Sequence, residues 1–237
     1  MIKKPHAKLF VFDIGNTLLV KPDTRIIDSA VTALLALREY GCILGVASMR
    51  NSSQLDDLNE QFVFDFQIGL NGSYVRCGDR LLTDEPLPEE TVNGLGVFLD
   101  NYSIRHRCHG RDIISDSFPR NPVYVVEMFD MYKHLGELQK EFPELNFCIW
   151  EKGRSCDAFS KEWTKSIALR EVCDYYNVTL KQTVGFGDGF NDEDLLKLCG
   201  KSVAMGTAPG QLKNVATFVT RPAGEDGVLW ALENYEI

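Results

Sequence analysis

The stretch 184-VGFGDGFNDEDLL-196 constrains this chain more than any other part of it. An apolar run too short for a helix ends at Gly187, and Asp188 and Asp192 follow where a helical pattern carrying Leu195 and Leu198 takes over. Two carboxylates at a strand-to-helix junction suit a hard divalent cation such as Mg²⁺. That ion takes oxygen ligands and keeps much of its water, so it needs only a further carboxylate from elsewhere. The segment 8-KLFVFDIGNTLL-19 can supply it, because Leu9 to Phe12 reads as a buried parallel strand with Asp13 at its tip.

Strand and helix signals alternate at both ends of the chain. Ile27, Ala30, Val31, Leu34 and Leu37 recur at helical spacing and predict a helix over 23–40, with Gly41 as its stop. A buried-strand pattern follows in 42-CILGVASMR-50, then a polar helix with Leu55 and Leu58, then a short strand over 67–70. From Thr164 the order is helix (Ile167, Ala168, Val172), strand 183–186, the Asp188 turn, a helix, and strand 202–205. This order predicts an α/β fold with a three-layer, doubly wound, mostly parallel sheet (a Rossmann-like core), whose ligands sit outside the carboxyl ends of its strands. The middle differs: a hairpin over 73–83, a helix over 88–101, strands over 104–108, 123–129 and 146–151, and a helix over 131–142. The expected division is a core of 1–82 and 157–237 with an inserted α+β cap over 83–156.

A chain of 237 residues has room for both units. Its net charge of −9 and pI near 5.0 argue against wrapping nucleic acid or lying on anionic lipid, and leave small anionic ligands open. Seven scattered cysteines without CxxC spacing indicate neither a disulfide framework nor a zinc site, so a reduced, cytoplasmic protein is expected. The first residues carry no long apolar signal region. No stretch approaches the ~20 apolar residues of a membrane span.

Taken together, Asp13, Ser48, Lys165 and the Asp188/Asp192 pair resemble the haloacid dehalogenase superfamily, and within it the Cof-type sugar-phosphatase branch. DIGNTLL is similar to the family's DxDGTLL, ASMR to its ATGR, LNGSYV to its NGA-containing segment and SKEWTKSIAL to its KGVSKGxAL. GDGFNDEDLL, followed by 203-VAMGTAP-209 and 225-EDGVLWAL-232, is the nearest match. The resemblance implies a phosphoric monoester hydrolase in which Asp13 is the nucleophile and Mg²⁺ is held by Asp13, the Gly15 carbonyl, Asp188 and Asp192. Lys165 and Ser48 would serve the phosphoryl oxygens, and Arg50 and Asn191 would bind substrate, a small phosphorylated metabolite. Read singly, each residue has a plainer meaning: Ser48 a helix N-cap, Lys165 a solvated charge, Asp188 a turn former.

One departure matters. Phosphatases of the family carry a second aspartate two residues after the nucleophile, and here that position is Gly15. General acid–base help is worth ~10²–10⁴-fold, so its loss should spare good leaving groups and penalise alkyl phosphates. His109, Asp112 or Glu127 of the cap are candidate surrogates, and Arg107, His109, Arg111, Trp150 and Arg154 could contact a substrate. Superfamily members that cleave carbon–halogen or carbon–phosphorus bonds also lack this aspartate, but usually place the cap between the first two motifs. The helix over 23–40 fills that interval here, whereas the interval from Ser48 to Lys165 has room for a cap. A phosphate-ligand-binding or regulatory protein with lost turnover is the alternative.

Overall fold

Strand β1 (Leu9–Phe12) is buried along its whole length, and in the computed structural model, which describes residues 2–150 and 154–237, it forms the middle of the larger sheet. It pairs in parallel with β2 (Ile43–Ala47) on one side and β11 (Thr183–Gly187) on the other. Beyond β2 lie β3 (Phe66–Gly69), parallel, and the antiparallel β4 (Tyr74–Cys77) and β5 (Arg80–Asp84). Beyond β11 lie β12 (Lys201–Ala204) and β13 (Phe218–Val219), both parallel. The chain runs one way from β1 through β5 and later fills the other side, so the strand order reverses between β1 and β11. Such a reversal leaves a crevice at the carboxyl ends of the strands.

Side-chain alternation assigns the two faces of this sheet. Phe10 and Phe12 point to the same cluster as Leu34 and Leu37 of α1 (Asp28–Glu39) and Val228 and Leu232 of α8 (Gly227–Asn234). Leu9 and Val11 point to the opposite one, with Leu169 and Val172 of α5 (Lys165–Tyr176) and Leu195 of α6 (Glu193–Leu198). Each fully buried side chain of this size contributes about 1.5–3 kcal/mol relative to exposure. The expected three-layer α/β core is therefore present, with α2 (Ser52–Asn59) and α7 (Gly210–Val215) completing it.

The smaller sheet is antiparallel, in the order β7 (Ile114–Ser115), β6 (His106–His109), β8 (Val125–Phe129), β10 (Ser155–Ser160), β9 (Leu145–Trp150). Cys108, Val126, Met128, Cys156 and Ala158 on one face pack under α3 (Glu89–Asn101) and α4 (Leu135–Glu141). Val125, Cys148 and Phe159 on the other face join the core cluster. The helix expected over 23–40 begins only at Asp28, because Ile27 in front of it is extended. The helix expected over 131–142 is a single 3-10 turn at Tyr132–His134 followed by α4. The strand expected to reach Glu151 is described to Trp150, and Glu151 lies outside the described residues. No helix among the described residues is long and apolar enough to cross a membrane.

Candidate active site

Register explains how distant residues meet. Phe12 stands opposite Phe186 and Val46 in the parallel ladders, so Asp13, Asp188 and Ser48 leave neighbouring strands at one edge. Ligand oxygens of Asp13, Asp188 and Asp192 lie within 4.8 Å of one another. Lys165, the first residue of α5 and 1% exposed, donates from Nζ to Asp13 Oδ1 at 3.0 Å and to Asp192 Oδ1 at 2.6 Å. The plain reading of Lys165 as a surface charge is excluded by that burial.

Asp192 is fully buried and its two oxygens are engaged differently. Oδ1 takes the Lys165 proton donor, while Oδ2 accepts the backbone N–H groups of Asp188 at 3.1 Å and Gly189 at 2.9 Å. It thereby shapes the turn that presents Asp188. Asp188 is half-buried and receives one side-chain bond, from Asn16 Nδ2 to its Oδ2 at 3.0 Å. Burial and the neighbouring Asp13 charge push the Asp188 carboxyl up to about 6. Burial also pushes Asp192 up to about 7, against the pull of Lys165 and with a further push from Asp13. Burial alone would lower the Lys165 ammonium, but Asp13 and Asp192 hold it above its usual value, so it stays charged. Lys165 is the ammonium bonded into this cluster, and Lys21 and Arg50 add positive charge from nearby, yet Asp188 and Asp192 are both held above the usual carboxylate range, which a bound cation would relieve.

Ser48 is buried at the end of β2, and its Oγ accepts the Arg50 N–H at 3.3 Å. The helix that follows is capped instead by Asn51, in a capping box with Gln54, so Ser48 is not its cap. Burial lowers the Arg50 guanidinium from its usual value, against the nearby charges of Asp13 and Asp57. Asn191 Nδ2 donates to Asn71 Oδ1 at 2.9 Å. Asp13, Gly15, Ser48, Arg50, Asp188 and Asn191 all line one cavity of about 640 Å³, a size that fits a small metabolite. Lys165 lies behind Asp13 rather than on that wall.

The cap closes the cavity with His109, Glu127, Trp150, Ser155 and Asp157. Of the cap residues singled out by sequence, His109, Glu127 and Trp150 reach it. Asp112 and Arg111 instead line a separate recess with Asp84, Arg107 is engaged with Asp116 and Glu127, and Arg154 is exposed. Asn16, Lys21 and Asp157 were not foreseen. Asn16 carried a usable signal, since an asparagine following Gly15 suits the left-handed backbone it adopts (φ 53°).

A family model described as haloacid dehalogenase-like hydrolase matches residues 10–115 and 103–232. The chain is similar to YkrA of Bacillus subtilis strain 168, provisionally named a phosphatase, at 26% identity over 96% of this chain and 97% of the relative. A longer Streptococcus pyogenes relative, provisionally named a bifunctional phosphatase and peptidyl-prolyl cis-trans isomerase, is 27% identical over 98% of this chain and 54% of its own length. Among solved structures, the subclass IIB sugar phosphatase BT4131 superposes with a TM-score of 0.86 at 25% identity, covering 95% of this chain and 98% of that one.

Proposed function

This chain is a haloacid dehalogenase-like hydrolase and a phosphatase of that superfamily, and we propose that it belongs to the Cof-type branch and hydrolyses sugar phosphates with Mg²⁺. The observation that carries the reading is the buried Lys165 bridging Asp13 and Asp192 while Asp188 closes the carboxylate cluster. The donor set fits magnesium: all-oxygen ligands, three carboxylates whose oxygens lie within 4.8 Å of one another, and an open cavity in front that leaves room for water. Asp13, Asp188 and the Gly15 carbonyl would hold the ion, with Asp192 joining directly or through water, since Lys165 and two N–H groups already occupy its oxygens. Bound there, the ion would cancel the repulsion between a carboxylate and a phosphate dianion.

The chain's own residues then have distinct tasks. Asp13 attacks phosphorus, the alcohol leaves, and water hydrolyses the aspartyl phosphate to return the carboxylate. Lys165 donates to Asp13 Oδ1, which fixes that oxygen and leaves Oδ2 to attack. Ser48 donates its hydroxyl to a phosphoryl oxygen, and Arg50 and Asn191 bind the substrate's phosphate end. Gly15 offers no proton to the departing oxygen, so aryl and acyl phosphates should react faster than alkyl ones. The cap, expected over 83–156 and carrying β10 in its sheet as far as Ser160, would set which sugar enters.

A second reading, a phosphate-ligand-binding or regulatory protein, is favoured by Gly15 alone. The test is Mg²⁺-dependent phosphate release from p-nitrophenyl phosphate and a panel of sugar phosphates, with Asp13→Asn as control. The expected result is turnover by the wild type that chelation abolishes and the variant lacks. Equal inactivity of both proteins, with ligands still bound, would establish the binding reading instead.

A further inference from the structure

The core-facing side of the cap sheet is apolar at Val125, Cys148 and Phe159, and polar where it overlies the cavity. Asp157 on β10 stands directly opposite Glu127 on β8, and opposite residues of adjacent strands share a face. His109 on β6 lies on that same face, two residues along from Arg107, which is itself opposite Glu127. These three belong to the central strands of the sheet. A carboxylate and an imidazole have therefore been placed where an apolar side chain would complete the packing at less cost.

Their hydrogen bonding is incomplete. Asp157 is 1% exposed; its Oδ2 accepts from Trp150 Nε1 at 2.6 Å, and its Oδ1 has no partner. His109 is 3% exposed, with neither ring nitrogen in a hydrogen bond; Nε2 stands 3.5 Å from Glu127 Oε2, and Arg107 approaches the same oxygen at 3.4 Å. Buried polar atoms are rarely left so, and those that are call for a missing partner. The Trp150 ring also lies against Gly189, where an added Cβ would meet ring carbons at 2.9 Å and 3.1 Å. One indole thus reaches from the loop carrying Asp188 to Asp157 along the wall of the cavity.

We infer that Asp157, Glu127 and His109 form a leaving-group subsite that selects phosphate esters whose leaving group carries hydroxyl or amino donors and no negative charge of its own. This rests on the phosphatase reading of the same cavity. Glu127, which also meets Arg107, and Asp157 both accept hydrogen bonds; with Asp13 and Asp188 they leave the carboxylates lining the cavity in excess of Lys21 and Arg50, which disfavours a second anion, and the Trp150 face covers the apolar side of a ring. The Asp157 carboxyl, pushed up by burial, regains in such a complex the donors that folding removed.

The test is steady-state kinetics of the full chain with Mg²⁺ on a hexitol phosphate, an amino-sugar phosphate, 3-phosphoglycerate, phosphoglycolate and p-nitrophenyl phosphate. Wild type should prefer the hydroxyl- and amino-bearing esters over the carboxylated ones by tenfold or more in kcat/KM. Asp157→Asn and Glu127→Gln should each shrink that preference at least fivefold, chiefly through KM. Calorimetric titration of Asp13→Asn with the same esters ranks them without turnover, so the selectivity is measured even in an inactive protein. Equal use or binding of carboxylated esters would overturn the subsite, as would a loss in the variants that is uniform across substrates. Turnover of p-nitrophenyl phosphate without selectivity would leave the phosphatase reading standing while this inference fails.

Discussion

At Gly15 a Cβ would lie 2.5 Å from Lys21 Cε and 3.3 Å from its Nζ, so the space an aspartate would enter is already held by an ammonium-bearing chain. Gly15→Asp is expected to raise alkyl-phosphate turnover, but an ion pair with Lys21 will hold the new carboxylate back. Adding Lys21→Ala should release it and bring the gain towards ~10²–10⁴-fold. A folded, metal-binding double variant no faster than wild type would refute the missing-acid argument. Asp157 gives a pH signature. Burial pushes it up to about 7, against the Trp150 hydrogen bond, whereas the unfolded chain titrates near ~3.9. The folded state thus binds this proton more tightly. Its contribution to stability is present at low pH and is lost as pH rises from about 4 to about 7, by up to ~1.4 kcal/mol per unit. Asp157→Asn should remove that loss, so its stability relative to wild type in denaturant melts should be higher at pH 7.5 than at pH 5. An identical difference at both pH values would contradict it. Asp13, Asp188, Asp192 and Lys165 were legible as residues because each sits at a fixed offset from a strand or helix end. Asp157 was not, because its significance arises only from what β8 and β6 bring to its side.

Among the elements, α5 depends on a contact made far away in sequence. The turn after β3 ends at Gly72, at φ +118°, where a Cβ would meet the Thr164 carbonyl carbon at 2.3 Å and its oxygen at 2.4 Å. Thr164 is the N-cap of α5, accepting the Ile167 N–H at 3.4 Å, and Lys165 follows it. Gly72→Ala is therefore expected to cost about 1–3 kcal/mol through strain alone and to reduce kcat by shifting Lys165. Thr164→Ala, which removes only a cap, should cost about 1 kcal/mol. Urea titration of both variants decides it; a milder effect from Gly72→Ala would mean the turn yields freely. The parallel strands were readable as short apolar runs, and α1 as a periodic one. Strand β10 went unread because SCDAFS is buried on both faces while carrying Ser155 and Asp157 on one of them, so neither alternation nor a continuous apolar run announces it. The start of α1 was misplaced because Ile27 fits the helical period but adopts an extended backbone ahead of it.

Across the whole molecule, one apolar cluster runs from Phe10 and Leu34 of the core to Val125, Cys148 and Phe159 of the smaller sheet and to Tyr124 just before β8. Shared packing of this kind predicts a single cooperative unfolding transition, with calorimetric and van't Hoff enthalpies in agreement. Phe159→Ala should split or broaden it, and two well-separated transitions in the wild type would show that the units melt independently. The connections between them are short: residues 85–88 join β5 to α3, and residues 161–164 join β10 to α5. The second strap runs from the strand that bears Asp157 straight to the helix that opens with Lys165. Whatever is held against Asp157 and the ammonium that grips Asp13 are thus joined by one short run of backbone.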